Sequence, residues 1–182
     1  MKKLIVVEGT DNVGKSTFIR NLEKHIGRFT KFHFTSPKNY NYRLNPTIAQ
    51  EKQFIEIFDK TVKTSGTVVW DRSHIGEHVY APLYRDRNDT SWVMKLEYNY
   101  KELFRNSIGV LLVSNPNHLS SNDDGLSYSN LPQSKQREQE YFINALNKTN
   151  IPFITIDVFD IETNNFRNID DIVKEFLDEY NK

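Results

Sequence analysis

Apolar residues follow one another along this chain in two alternating rhythms. Short unbroken runs such as Leu4-Ile5-Val6-Val7 and Val110-Leu111-Leu112-Val113 have the pattern of strands covered on both faces. They predict strands near 3–8, 30–35, 67–70, 108–113 and 152–158. Between the runs, apolar positions recur at helical spacing. The stretch after the first run carries Phe18, Ile19, Leu22 and Ile26 on one side. A second helix opens at Asn45-Pro46, a cap followed by proline at the first helical position, and should bury Phe54, Ile55, Phe58 and Val62. A third, over 90–104, repeats Trp92, Val93, Leu96, Tyr100, Leu103 and Phe104. The last places Ile169, Ile172, Val173, Phe176, Leu177 and Tyr180 on one face, with Asn168 as cap and Asp170 and Asp171 in the first turn. Strands alternating with crossover helices predict an α/β fold, a five-stranded parallel sheet flanked by helices in three layers.

One segment breaks the rhythm. Residues 115–132 are polar, rich in turn residues and directly follow an apolar run. A long loop at a strand's C-terminal end lies where open α/β sheets bind ligands, so it reads as a lid, reaching to about 137 with the start of the next helix. The 182 residues suit a single domain over 1–182, with no internal repeat and no linker.

The first apolar run ends in Gly9-Thr10-Asp11-Asn12-Val13-Gly14-Lys15-Ser16-Thr17. This is a complete phosphate-binding loop, G-x-x-x-x-G-K-[ST], with strand before it and helix after it. Such a turn aims several backbone N–H groups and the positive end of a helix at one small volume. Lys15 is placed to reach the β/γ oxygens of a nucleoside triphosphate, and the Ser16 hydroxyl to hold Mg²⁺. The expected fold is therefore that of the P-loop NTPases, and the expected cofactors are ATP and Mg²⁺.

Composition removes several alternatives. Twenty-four basic and twenty-four acidic residues leave a net charge of zero, so no global field favours nucleic acid or membrane, and no stable nucleic-acid partner is expected. With no cysteine, disulfides, zinc-thiolate sites and thiol nucleophiles are excluded. No run reaches the length of a membrane span. The opening Met1-Lys2-Lys3 and short apolar stretch read as a first core strand, because Glu8 and the loop interrupt it too early for a signal peptide. These features predict a soluble protein of the cytoplasm.

A second constellation stands at the end of the third predicted strand, Trp70-Asp71-Arg72-Ser73, followed by Glu77, Tyr80 and Arg85. In a parallel sheet that strand end falls beside the phosphate loop. Asp71 would accept Mg²⁺-bound water and Arg72 would clamp phosphate oxygens, the parts phosphoryl transfer requires. Glu77 and Tyr80, three apart on a helix, share one face, where a carboxylate suits a sugar or base better than a phosphate. His74 and His78 lack a third ligand and read as structural.

These residues resemble the thymidylate kinases. Glu8-Gly9-Thr10-Asp11-Asn12-Val13-Gly14-Lys15-Ser16-Thr17 is similar to their E-G-x-D-x-x-G-K-S-T loop. Trp70-Asp71-Arg72-Ser73 resembles their D-R-[YFS] element, with an echo of the E-R-S of deoxynucleoside kinases. Leu112-Val113-Ser114-Asn115-Pro116 is similar to the segment before the thymidylate-kinase lid. Gly76-Glu77-His78-Val79-Tyr80 and Asp123-Asp124-Gly125-Leu126-Ser127-Tyr128 resemble phage-encoded members of that group. The resemblance implies a nucleoside monophosphate kinase, with Asp11 facing the acceptor deoxyribose 3′-hydroxyl and Arg72 the acceptor phosphate or the transferring group. It also implies Asp71 near Mg²⁺, and Lys135 and Arg137 over the donor phosphates. A homodimer and, for a phage protein, residence in the host cytoplasm are implied by family alone.

Two departures from the family shape the expectation. The loop carries Asn12 where an arginine can stand, and residues 115–132 hold neither Arg nor Lys. Transition-state charge then falls to Lys15, Arg72, Arg85, Lys135 or Arg137. Between Phe29 and Gln50 there is no acid, only His33, Lys31, Lys38, Arg43 and aromatics. A 5′-hydroxyl acceptor needs a general base, whereas a monophosphate needs cations. The stretch therefore favours a nucleoside monophosphate, with Lys38, Arg43 and the neighbouring Tyr40 and Tyr42 available to it, and the resemblance to thymidylate kinases implies a deoxynucleoside 5′-monophosphate, dTMP first. A deoxynucleoside or polynucleotide 5′-hydroxyl kinase, or a nucleotide-binding module without turnover, stays open.

Overall fold

Every side chain of the first strand is buried, because its apolar run lies at the centre of a sheet covered on both sides. The computed structural model describes residues 4–35 and 46–182. Its strands are Leu4–Glu8 (β1), Thr30–His33 (β2), Val68–Asp71 (β3), Ser107–Val113 (β4) and Phe153–Asp157 (β5). They form a parallel sheet of order β2-β3-β1-β4-β5. The chain leaves β1 past β3, then returns across β1 to reach β4. At that reversal the C-terminal ends of β1, β3 and β4 open on a common crevice.

The helices are Lys15–Ile26 (α1), Pro46–Lys63 (α2), Glu77–Tyr84 (α3), Ser91–Asn99 (α4), Lys101–Arg105 (α5), Pro116–Ser121 (α6), Pro132–Leu146 (α7) and Ile169–Tyr180 (α8). Phe18, Leu22, Val173 and Phe176 of α1 and α8 pack on Ile5, Val7 and Val110. On the other face, Phe58, Val79, Phe104 and Phe142 cover Leu4, Val6 and Trp70. Trp70 stacks on Phe58 at 5.1 Å and donates from its indole nitrogen to the Thr61 hydroxyl at 2.9 Å. Asn168 caps α8 by accepting from the Asp170 N–H.

Strand positions agree with the sequence reading to within a residue or two, and three local expectations are corrected. The predicted helix over 90–104 is two helices, broken at Tyr100. That residue is drawn toward α2, its hydroxyl donating to Asp59 at 2.7 Å and its ring set edge-on against Phe58. Val62 is exposed, since the inward position goes to Thr61 as acceptor for Trp70. The start of the presumed loop at 115–132 is helical: Asn115 caps α6, Pro116 takes its first position, and Leu119 is fully buried. The expected cap at Asn45 and the candidate residues Lys38, Tyr40, Tyr42 and Arg43 lie outside the described residues.

Candidate functional site

Where β1 ends, the backbone must turn sharply against β4. Gly9 has φ 146°, and a Cβ there would lie 2.6 Å from the Leu112 carbonyl oxygen, so only glycine fits. Gly14 (φ 93°) and Asn12 (φ 68°) also take left-handed backbone, and α1 begins at Lys15. Val13 is buried beneath the loop, while Ser16 and Thr17 stand exposed in the first helical turn. Lys15 is folded back on its own loop, its Nζ donating to the Gly9 and Thr10 carbonyls at 2.8 and 2.6 Å. Burial, aided by the charge of Arg72, lowers its pKa to about 8. The buried Thr10 hydroxyl and Asn12 amide nitrogen have no protein partner, as befits polar atoms placed for a ligand.

The end of β3 meets this loop. Arg72 also adopts left-handed backbone, φ 68°. Its N–H is held by the Val7 carbonyl at 2.9 Å, and its guanidinium is paired with Asp11. Ser73 donates to Glu8 Oε1 at 2.6 Å. Glu8 is completely buried, and burial raises its pKa to about 7 against the pull of Ser73, Lys15 and Arg72. Asp71 turns toward the edge strand, with His33 Nδ1 at 3.1 Å and Lys31 Nζ at 3.5 Å. Burial opposes its charge, but the His33 hydrogen bond and the charges of His33 and Lys31 hold the carboxyl below its ordinary range.

Beside the loop lies a cleft of about 310 Å³. Its lining includes the polar Glu8, Asp11, Arg72 and Gln50 and the aromatic Phe34 and Phe54. Glu77, Tyr80 and Arg85 also border it. Gln50 is 4% exposed. Its amide nitrogen donates to Gln53 at 2.9 Å, which leaves its Oε1 without a partner. The buried Tyr80 hydroxyl is likewise unpartnered. Glu77 is engaged by two arginines, Arg85 at 2.7 Å and Arg87 at 2.9 Å.

The sequence-derived candidates Asp11, Arg72, Glu77, Tyr80 and Arg85 thus converge on one cleft, and Lys15 and Ser16 lie on the adjoining loop. Lys135 is fully buried and held by Asp123 and Ser127, and Arg137 is exposed on α7. His74 is paired with Glu97 at 2.7 Å inside an aromatic cage. His78 is bonded to Thr90 at 2.6 Å. Among the described residues no group of three or more His, Asp or Glu gathers to hold a metal. Residues the sequence did not single out are Glu8, Ser73, Gln50, Phe34 and Glu138. Glu138 is buried on α7 and accepts from the Tyr84 hydroxyl at 2.6 Å.

No family model matches the sequence, and no curated protein does. Solved structures share the architecture. YorR protein from Bacillus subtilis, in complex with phosphorylated GDP, superposes with a TM-score of 0.69 at 16% identity, covering 98% of this chain and 95% of that one. A deoxyadenosine kinase from M. mycoides with bound dATP gives 0.59 at 17% identity, with 98% and 100% covered. A thymidylate kinase from Candida albicans gives 0.61 at 15%, with 97% and 90% covered. At this identity the likeness shows the fold alone, a five-stranded parallel sheet flanked by helices with a phosphate-binding loop after its first strand.

Proposed function

We propose that this chain transfers the γ-phosphoryl group of ATP to a deoxynucleoside 5′-monophosphate, with dTMP as first acceptor to test. The observation that carries the reading is the junction of phosphate loop and cleft through the Asp11–Arg72 pair. A donor on the loop amides and an acceptor in the cleft would meet at that pair. Lys15 would exchange its two loop carbonyls for the β/γ oxygens. Arg72 would turn from Asp11 to phosphate, and Asp11 would be freed for a sugar hydroxyl. Phe34 and Phe54 offer apolar faces for a base, and Gln50 Oε1 an acceptor for a base N–H. Glu8 suits an anionic acceptor because its raised pKa leaves it partly neutral near pH 7.

The exposed Ser16 hydroxyl and the ionised Asp71 are hard oxygen donors that fit Mg²⁺, an ion that binds few protein oxygens and keeps its waters. When bound, it would neutralise charge developing on the transferred phosphoryl group. The guanidinium of Arg72 would supply the remaining positive charge.

A second reading rests on Glu8 as well. An ionised Glu8 in the cleft is a general base for a 5′-hydroxyl, the group that the acid-free stretch after β2 lacks. Single-turnover transfer from ATP, measured with deoxynucleoside monophosphates, nucleosides and 5′-hydroxyl oligonucleotides, separates the two. Transfer to monophosphates that survives Glu8→Gln is the expected result. Transfer to nucleosides alone, rising through about pH 7 and abolished by Glu8→Gln, would replace the monophosphate reading. Tight ATP binding without transfer to anything would make the chain a binding module.

A further inference from the structure

We propose that the lid acts on the acceptor side of the cleft, with Tyr128 as its positioning residue, instead of covering the donor phosphates. The inference rests on the two-sided reading just given. Its first support is what the lid presents. Between Asn122 and Leu131 the chain has no Arg or Lys. Leu126 and Tyr128 line the same cleft as Glu8, Asp11 and Arg72, whereas Lys15 and Ser16 do not line it. A segment serving donor phosphates would offer cations; this one offers an aliphatic side chain and a ring. Leu126, on the lining of the cleft, is 85% exposed, so an occupant that covered it would remove apolar surface from water.

The second support is how firmly the ring is held. Tyr128 lies parallel to Tyr84 at 4.7 Å and 5°, and stacks on Tyr80 at 5.7 Å. Arg85 Nε donates to the Tyr128 hydroxyl at 3.3 Å, while the same arginine grips Glu77. Tyr84 is in turn fixed by Glu138. A rigid aromatic held at three points is a surface to bind against.

The third support is the anchor. Lys135, with no exposed surface, pairs with Asp123 at 2.8 Å and donates to Ser127 at 2.8 Å. Its charge is therefore spent within the lid. Breaking that buried pair to reach a donor phosphate would leave Asp123 without its counter-charge. The latch is made entirely of protein groups, with Tyr128 on the lining of the cleft. Acceptor recognition therefore does not wait for ATP.

The test is a split in Michaelis constants, with Tyr128→Ala, Tyr128→Phe and Lys135→Met compared against the wild-type chain. Loss of the ring should raise the acceptor KM about tenfold, the scale of an aromatic contact, with the ATP KM within about twofold. Tyr128→Phe keeps the stack and should recover near-wild-type values. Lys135→Met, which frees the lid, should follow Tyr128→Ala. A rise in ATP KM with acceptor KM unchanged, or no change in either, overturns the proposal. A wild-type chain that moves no phosphoryl group defeats the kinase reading separately. Calorimetric titration of dTMP and thymidine without ATP then decides the lid. Affinity lost in Tyr128→Ala supports it, and affinity that persists there, or no binding to the wild type, sinks it.

Discussion

The Lys15 ammonium donates to two carbonyls of the loop it serves, so a nucleotide must compete with both of them for one ammonium. With its pKa lowered to about 8 by burial, the ammonium is present below that value and lost above it. ATP affinity should be flat from about pH 6 to 7.5 and weaken by about tenfold per unit beyond pH 8. Lys15→Met should bind weakly throughout and show no such limb, which calorimetry across pH would reveal. A wild-type affinity independent of pH up to 9.5 would contradict this account. The lysine and its glycines were legible in the sequence because each position is fixed by local chemistry. Glu8 and Gln50 were not. Glu8 gains its raised pKa from burial that only the assembled fold provides, against the pull of Ser73, Lys15 and Arg72, and Gln50 sits on a helix whose apolar face gives no hint that its amide faces a cleft.

At the scale of elements, the alternation of runs and helical spacings yielded all five strands of the sheet and the faces of α1 and α8. It failed where contacts between elements decide. The break at Tyr100 follows from a partner on α2, which no window over 90–104 contains. The helix α6 was foreshadowed by Asn115-Pro116, the same signal that marked Asn45-Pro46, but the polar composition around it masked the signal. Strand packing offers a sharper test. Gly109 on β4 lies opposite Phe153 on β5, and a Cβ at Gly109 would stand 2.3 Å from that ring. Gly109→Ala should therefore destabilise the protein by about 1–3 kcal/mol. Adding Phe153→Leu, which removes the obstructing ring, should restore more than half of that loss in urea denaturation. A neutral single substitution would mean that the ring moves aside freely.

For the whole molecule, the site is a property of the assembled sheet. The Asp11–Arg72 and Glu8–Ser73 contacts join residues 61 and 65 apart in sequence, and Gly9 is seated against Leu112 of β4. Because nucleotide should bind only the assembled sheet, ATP at about a hundred times its dissociation constant should add about 2.7 kcal/mol of stability. A domain of this size should then melt about 5–10 °C higher. The shift should vanish in Lys15→Met, and scanning calorimetry would show it. An equal shift in that variant would place the nucleotide elsewhere.

The same long spans bear on synthesis. The loop leaves the ribosome well before β4, yet Gly9 finds its seat on Leu112 only once that strand has followed. A nascent chain that already carries the complete motif is thus not yet able to hold a nucleotide. Any help ATP gives to folding comes late, as a seal on a finished sheet and not as a template for it.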